Sequence, residues 1–146
     1  MTLRVVIEAP AKLDLADELL EEFHAGAKAA VTDASQLLLT EVQRLLRQRK
    51  GTARTAAPAG EPPEEDTGAL ANSFRLIPAS IRTPVFAKGY GAEARSGIRS
   101  NDPGGNRLEF GFTDLRGIRT LPHPFLAPAI ANTEGAIEAL LRERLG

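Results

Sequence analysis

The chain is 146 residues long, enough for about one domain and one core. Its composition is that of an ordinary globular protein, and a formal net charge of −1 supplies no global field toward nucleic acid or an anionic membrane. No cysteine is present, which excludes disulfides and thiolate metal sites. Residues 1–11 lack a signal-peptide layout, because Glu8 and Pro10 interrupt the apolar stretch. No segment approaches the ~20 apolar residues of a membrane helix. The expectation is synthesis in a cytoplasm with no membrane partner.

Taken in chain order, residues 3–8 are β-rich and stop at Pro10, which predicts a short strand. Asp14 is placed to cap a helix reaching Phe23, with Leu15, Leu19 and Leu20 on its face, and Gly26 marks a break. From Ala27 to Leu46 apolar residues recur at steps of three and four, predicting an amphipathic helix over 26–49, about 35 Å long. Gly51 lies just past its basic last turn. Residues 51–66 are rich in Gly, Pro, Ala and Glu with no apolar period, which predicts a flexible loop.

The chain then turns β-like. Residues 74–77, 85–88, 94–99 and 108–112 are candidate strands, with a strong turn signal at 101–106. These spacings predict a β-meander. Pro128 suits a helical first turn, and Leu126, Ala129, Ile130, Ile137, Leu140 and Leu141 share a face of a last helix that Gly135 weakens. The order predicts a single α+β domain over 1–146. It is a small antiparallel sheet packed against a long amphipathic helix and a C-terminal helix.

Charge is unevenly spread. Arg44, Arg47, Arg49, Lys50 and Arg54 follow Glu41 with no acid until Glu61, and then Glu61, Glu64, Glu65 and Asp66 reverse the sign. A solvated helix end and a polar loop explain this. The alternative is a pair of contact patches that meet across a boundary between subunits. Catalytic signals are missing: there are two histidines, His24 and His123, and no HExxH, GxSxG, Walker or zinc spacing. Asp66, Asp102, Glu109 and Asp114 could gather around a divalent ion as in a nuclease, but nothing in their spacing requires it. No catalytic residue, cofactor or metal site is therefore expected.

Three segments stand in a specific order. Residues 63–74, P-E-E-D-T-G-A-L-A-N-S-F, carry Asp66, Thr67, Gly68, Leu70 and Ser73. Glu109-Phe110-Gly111 follows, and then Pro124-Phe125-Leu126-Ala127-Pro128-Ala129. With the long helix before them, they resemble the neck and tail-completion family of tailed bacteriophages over roughly residues 13–145. Three departures stand out: Asn106-Arg107 where that family often has Tyr-Ala, Phe112 between Gly111 and Thr113, and extra Arg, Gly and Pro in the loop from Asp114 to His123. Read physically, Asp66 or Thr67 caps a short helical turn, Leu70 and Phe74 pin that turn to the core, and Phe125 and Leu126 anchor the last helix.

The resemblance implies a tail-terminator-like fold and a non-enzymatic virion subunit at the head–tail junction. It implies a homo-hexameric ring, with a dodecamer as the alternative, between a head-closure (connector) protein and a tail-tube or tail-terminator protein. DNA would pass through the lumen without sequence-specific binding. The competing readings are a small metal-dependent nuclease and a host-side adaptor or binding module.

Overall fold

The computed structural model describes residues 3–12, 17–48, 60, 62, 68–82 and 91–145. The elements are β1 (Leu3–Lys12), α1 (Asp17–Arg47), α2 (Ala69–Ser73), β2 (Arg75–Arg82), β3 (Gly91–Ser100), α3 (Pro103–Phe110), β4 (Phe112–Thr113), β5 (Arg119–Thr120) and α4 (Leu126–Leu145). Three strands form one antiparallel sheet in the order β1-β3-β2, and β4 and β5 form a separate small hairpin. This is the expected α+β layout of a small antiparallel sheet with helices packed on it. Among the described residues no helix is long and apolar enough to cross a membrane.

Helix α1 is one rod of 31 residues, about 46 Å long at the usual rise, and it does not break at Gly26. An added Cβ at Gly26 would meet nothing, so the glycine serves no tight approach. Its intrinsic cost of about 1 kcal/mol is outweighed by the neighbours on the buried face. Ala27, Ala30, Val31, Ala34, Leu38, Val42, Leu45 and Leu46 are all buried, matching the predicted periodicity, whereas Leu37, expected with them, is exposed. The residue proposed as a cap, Asp14, lies outside the described residues, as do most of the 51–66 loop and the 85–88 strand.

Strand β3 is the centre of the sheet. Its inward positions Ala94, Ser96, Ile98 and Ser100 are buried, and the small ones let α1 lie close. Val5, Leu76 and Ile98 join the larger core cluster, and Ile7, Ile81 and Ala94 join a second one under the start of α1. Within the described strands of the sheet, proline sits only at the edges: Pro10 in β1, and Pro78 in β2 where the pairing register shifts between Ile77 and Ser80.

The region 101–112 departs from the predicted turn and strand. Asp102 Oδ1 accepts from Gly104 N at 2.8 Å and Pro103 occupies the first helical position, so the turn signal is a helix start. Leu108, Glu109 and Phe110 are the last turn of α3 rather than a strand. The alternation Leu-Glu-Phe-Gly-Phe is too short to separate a period of two from one of 3.6, and the Asp-Pro cap decides it. The meander therefore contributes only β2 and β3 to the main sheet, and its third member there is the N-terminal strand.

Candidate assembly surface

The three motif segments converge on one knot. Phe74 and Phe125 meet edge to face, with ring centroids 5.8 Å apart and planes at 78°. Phe125 is fully buried, and Leu126, Ala129 and Ala71 complete the same cluster, against which Leu70 and Leu108 pack. Pro124 and Pro128, on either side of Phe125, are half-buried.

The Glu109 carboxylate is buried and accepts three backbone N–H bonds: from Phe125 at 2.8 Å, Leu126 at 2.9 Å and Ala127 at 2.9 Å. Pro128 has no N–H, and Ala129 N already reaches Phe125 O at 3.1 Å. Every amide of the first turn of α4 is thereby satisfied. A negative charge at a helix N-terminus is favoured by the dipole, and charge-assisted bonds offset its burial. The stretch before α4, Pro-His-Pro-Phe, contains no Ser, Thr, Asp or Asn. A helix start without a local cap calls for a remote one, and that was the available sign that Glu109 acts on residues 125–127.

At the first motif the N-cap of α2 is Gly68, at φ 78° in the left-handed region, while Asp66 and Thr67 lie outside the described residues. Ser73 Oγ donates to Leu70 O at 2.6 Å, so the 2.5 Å contact with the buried Ser100 hydroxyl is donated by Ser100. Ser100 Oγ in turn accepts from Asp102 N at 3.1 Å. This chain ties α2 and β3 to the start of α3. Gln43 Nε2 donates to Ala71 O at 3.3 Å and holds α2 against α1.

The basic run is partly spent inside the chain. Arg44 forms two bonds to Glu41, at 2.6 and 2.9 Å, and Glu41 also accepts from Asn132 of α4 at 3.0 Å. The Arg44 hydrogen bond holds the Glu41 carboxyl below its ordinary range against the opposing effect of burial. Arg47 donates to Asn72 of α2. Both cations of the described part therefore have intramolecular partners. Arg49, Lys50, Glu61, Glu64 and Glu65 lie outside the described residues.

Three of the four acids weighed as metal ligands serve backbone groups instead, and the fourth, Asp66, lies outside the described residues. Asp102 caps α3, Glu109 caps α4, and Asp114 caps the β4–β5 hairpin by accepting from Arg116 N and Ile118 N, both at 2.9 Å. The Ile118 N–H first, and then the Arg116 guanidinium, hold the Asp114 carboxyl below the usual carboxylate range. Among the described residues no three His, Asp or Glu side chains stand together as a metal site. His123 is half-buried, and its backbone N donates to Leu108 O at 2.6 Å.

The hairpin is held by these contacts, yet Leu115, Ile118 and Leu121, which the sequence did not mark, are exposed around it together with the motif residue Phe110. Gly117 takes φ 80° at its tip, Gly117 N reaches Asp114 O at 3.0 Å, and the Arg107 guanidinium stacks 5.2 Å over the Phe112 ring. Gly111, at φ 71°, turns the chain from α3 into β4, and a Cβ there would stand 2.6 Å from Thr120 O. Around this frame Phe110 is 66% exposed, Leu115 fully exposed, and Ile118 and Leu121 more than half exposed. A preorganised loop that holds large apolar side chains in water has the character of a docking element. No family model matches the sequence, and no curated protein or solved structure is significantly similar to the chain.

Proposed function

We propose that this chain is a structural, non-enzymatic subunit of a tailed-phage particle, one copy of a ring at the head–tail junction in a neck, tail-completion or tail-terminator role. The observation that carries the reading is the β4–β5 hairpin, held by its own hydrogen bonds and presenting the exposed Leu115 and Ile118 among the exposed Arg116 and Arg119. A monomeric enzyme gains nothing from such a tip, whereas a ring subunit needs two different complementary patches, one for each neighbour. The resemblance in the three motifs supports the same role, with head-closure and tail-tube or tail-terminator proteins as neighbours, a virion location in the neck, and DNA passing through the lumen. Six copies are proposed, and twelve would be the other count.

The hairpin separates assembly from folding. In the double variant Leu115→Ser/Ile118→Ser the changed side chains are exposed, so the isolated protein should keep its stability within about 0.5 kcal/mol. Incorporation into particles should be lost. A double variant that enters particles at the wild-type copy number would remove the hairpin from the interface.

A further inference from the structure

The antiparallel register aligns three arginines in one row across the sheet: Arg4 of β1 opposite Arg99 of β3, and Arg99 opposite Arg75 of β2. All three are exposed, on the face turned away from α1. Neighbouring strands lie about 4.8 Å apart, so the three arginines occupy directly opposite positions, where like charges destabilise a sheet. Among the described residues no side-chain hydrogen bond or ion pair reaches any of the three. Two rows further along the same face the sheet balances its charge, with Glu8 opposite and paired to Arg95. The arginine row is the exception. It borders an open cleft of about 550 Å³ lined by Ser73, Arg75, Arg99, Asn101, Asp102 and Pro103. The acid in that cleft, Asp102, is half-buried and caps Gly104.

We infer that the row Arg4–Arg99–Arg75 is a phosphate-contacting surface for duplex DNA, the sheet face that a ring turns toward its lumen. This rests on the proposed function for its place in the particle. Three guanidiniums in line span roughly 10 Å, a length over which each strand of a duplex presents about three phosphates. The next row, Val6, Gly97 and Ile77, is uncharged, and Gly97 has no side chain. That geometry suits a continuous line of backbone charge without base reading. An acidic protein surface is the rival ligand.

The test is binding of the full chain to a labelled duplex of about 30 base pairs, compared with the variant Arg4→Gln/Arg75→Gln/Arg99→Gln. Three phosphate contacts imply a slope near −2.7 in log K against log salt, or about 40-fold weaker binding between 50 and 200 mM salt. The triple variant should lose binding and slope while its melting temperature holds or rises, because only exposed, mutually repelling charges are removed. No DNA binding at about 50 mM salt, or an unchanged slope in the variant, would overturn the inference. Displacement of the DNA by an equal concentration of poly-glutamate would also overturn it, in favour of an acidic protein. The readout needs no particle. A chain that binds DNA through the row but lies outside any neck ring fails the proposed function and keeps the row. A neck ring whose triple variant binds DNA as wild type keeps the function and removes the row.

Discussion

Replacing Glu109 by alanine should remove a large share of the protein's stability. The carboxylate satisfies the amides of Phe125, Leu126 and Ala127 at once, in a buried position. Its loss leaves the buried donors of Phe125 and Leu126 and the part-buried donor of Ala127 without partners, and a helix N-terminus without its counter-charge. Each orphaned donor costs about 1–3 kcal/mol, so a total of roughly 3–5 kcal/mol is expected after local relaxation and water entry. That is a large share of the 5–15 kcal/mol typical of a whole domain. Glu109→Gln sharpens the test. One oxygen accepts from both Phe125 and Leu126, so an amide carbonyl can keep those two bonds, while its NH₂ would face the N–H of Ala127. Denaturant unfolding should place the glutamine variant between wild type and alanine. Equal stability of all three proteins would show that the carboxylate does not cap α4.

Phe125→Ala is the second large effect. The ring is fully buried, packs edge to face on Phe74, and leads into α4 between two prolines. Truncation removes the contact between the first and third motifs and leaves a cavity that Pro124 and Pro128 keep the backbone from closing. A loss of about 3–5 kcal/mol is expected, read as a lowered denaturation midpoint with an unchanged slope. Burial assigns this residue to folding, and the exposed hairpin is left as the candidate for docking. A Phe125→Ala protein with wild-type stability that fails to assemble would reverse that assignment.

These two residues show which parts of the chain were legible in its sequence. The α+β class, the long helix and the anchoring of α4 follow from local patterns. Apolar residues at three- and four-residue steps define α1, and Phe125-Leu126 between prolines defines an anchored helix start. What depends on contacts distant in sequence was less visible. Strand β3 looked weak because its inward residues are Ala94, Ser96 and Ser100, whose small size suits a helix lying close but leaves little apolar signal. Glu109 read as the polar face of a strand because its partners are 16 to 18 residues away. The continuity of α1 through Gly26 was hidden because an intrinsic cost is visible in sequence while the tertiary packing that offsets it is not. The arginine row has no sequence signature at all: Arg4, Arg75 and Arg99 become neighbours only through strand register.

The candidate site divides along the same line. The motif residues Leu70, Ser73, Glu109, Gly111, Phe125 and Leu126 are accounted for by packing, capping and a left-handed turn, so the motifs define a fold and leave the contact surface elsewhere. Phe110 is the exception, since it belongs to the Glu-Phe-Gly segment and stands mostly in water beside the hairpin. A side chain there is free to contact a neighbour, as are Leu115, Ile118 and Leu121.

The most direct measurement is a reconstruction of the particle that contains this chain. A closed ring of six copies around the tail axis, between head and tail tube, is the expected result. In each copy the segment from Phe112 to Thr120 would lie buried against the next copy or the adjoining ring. A single copy per particle, a position outside the neck and tail, or a ring in which the hairpin remains in solvent would contradict it.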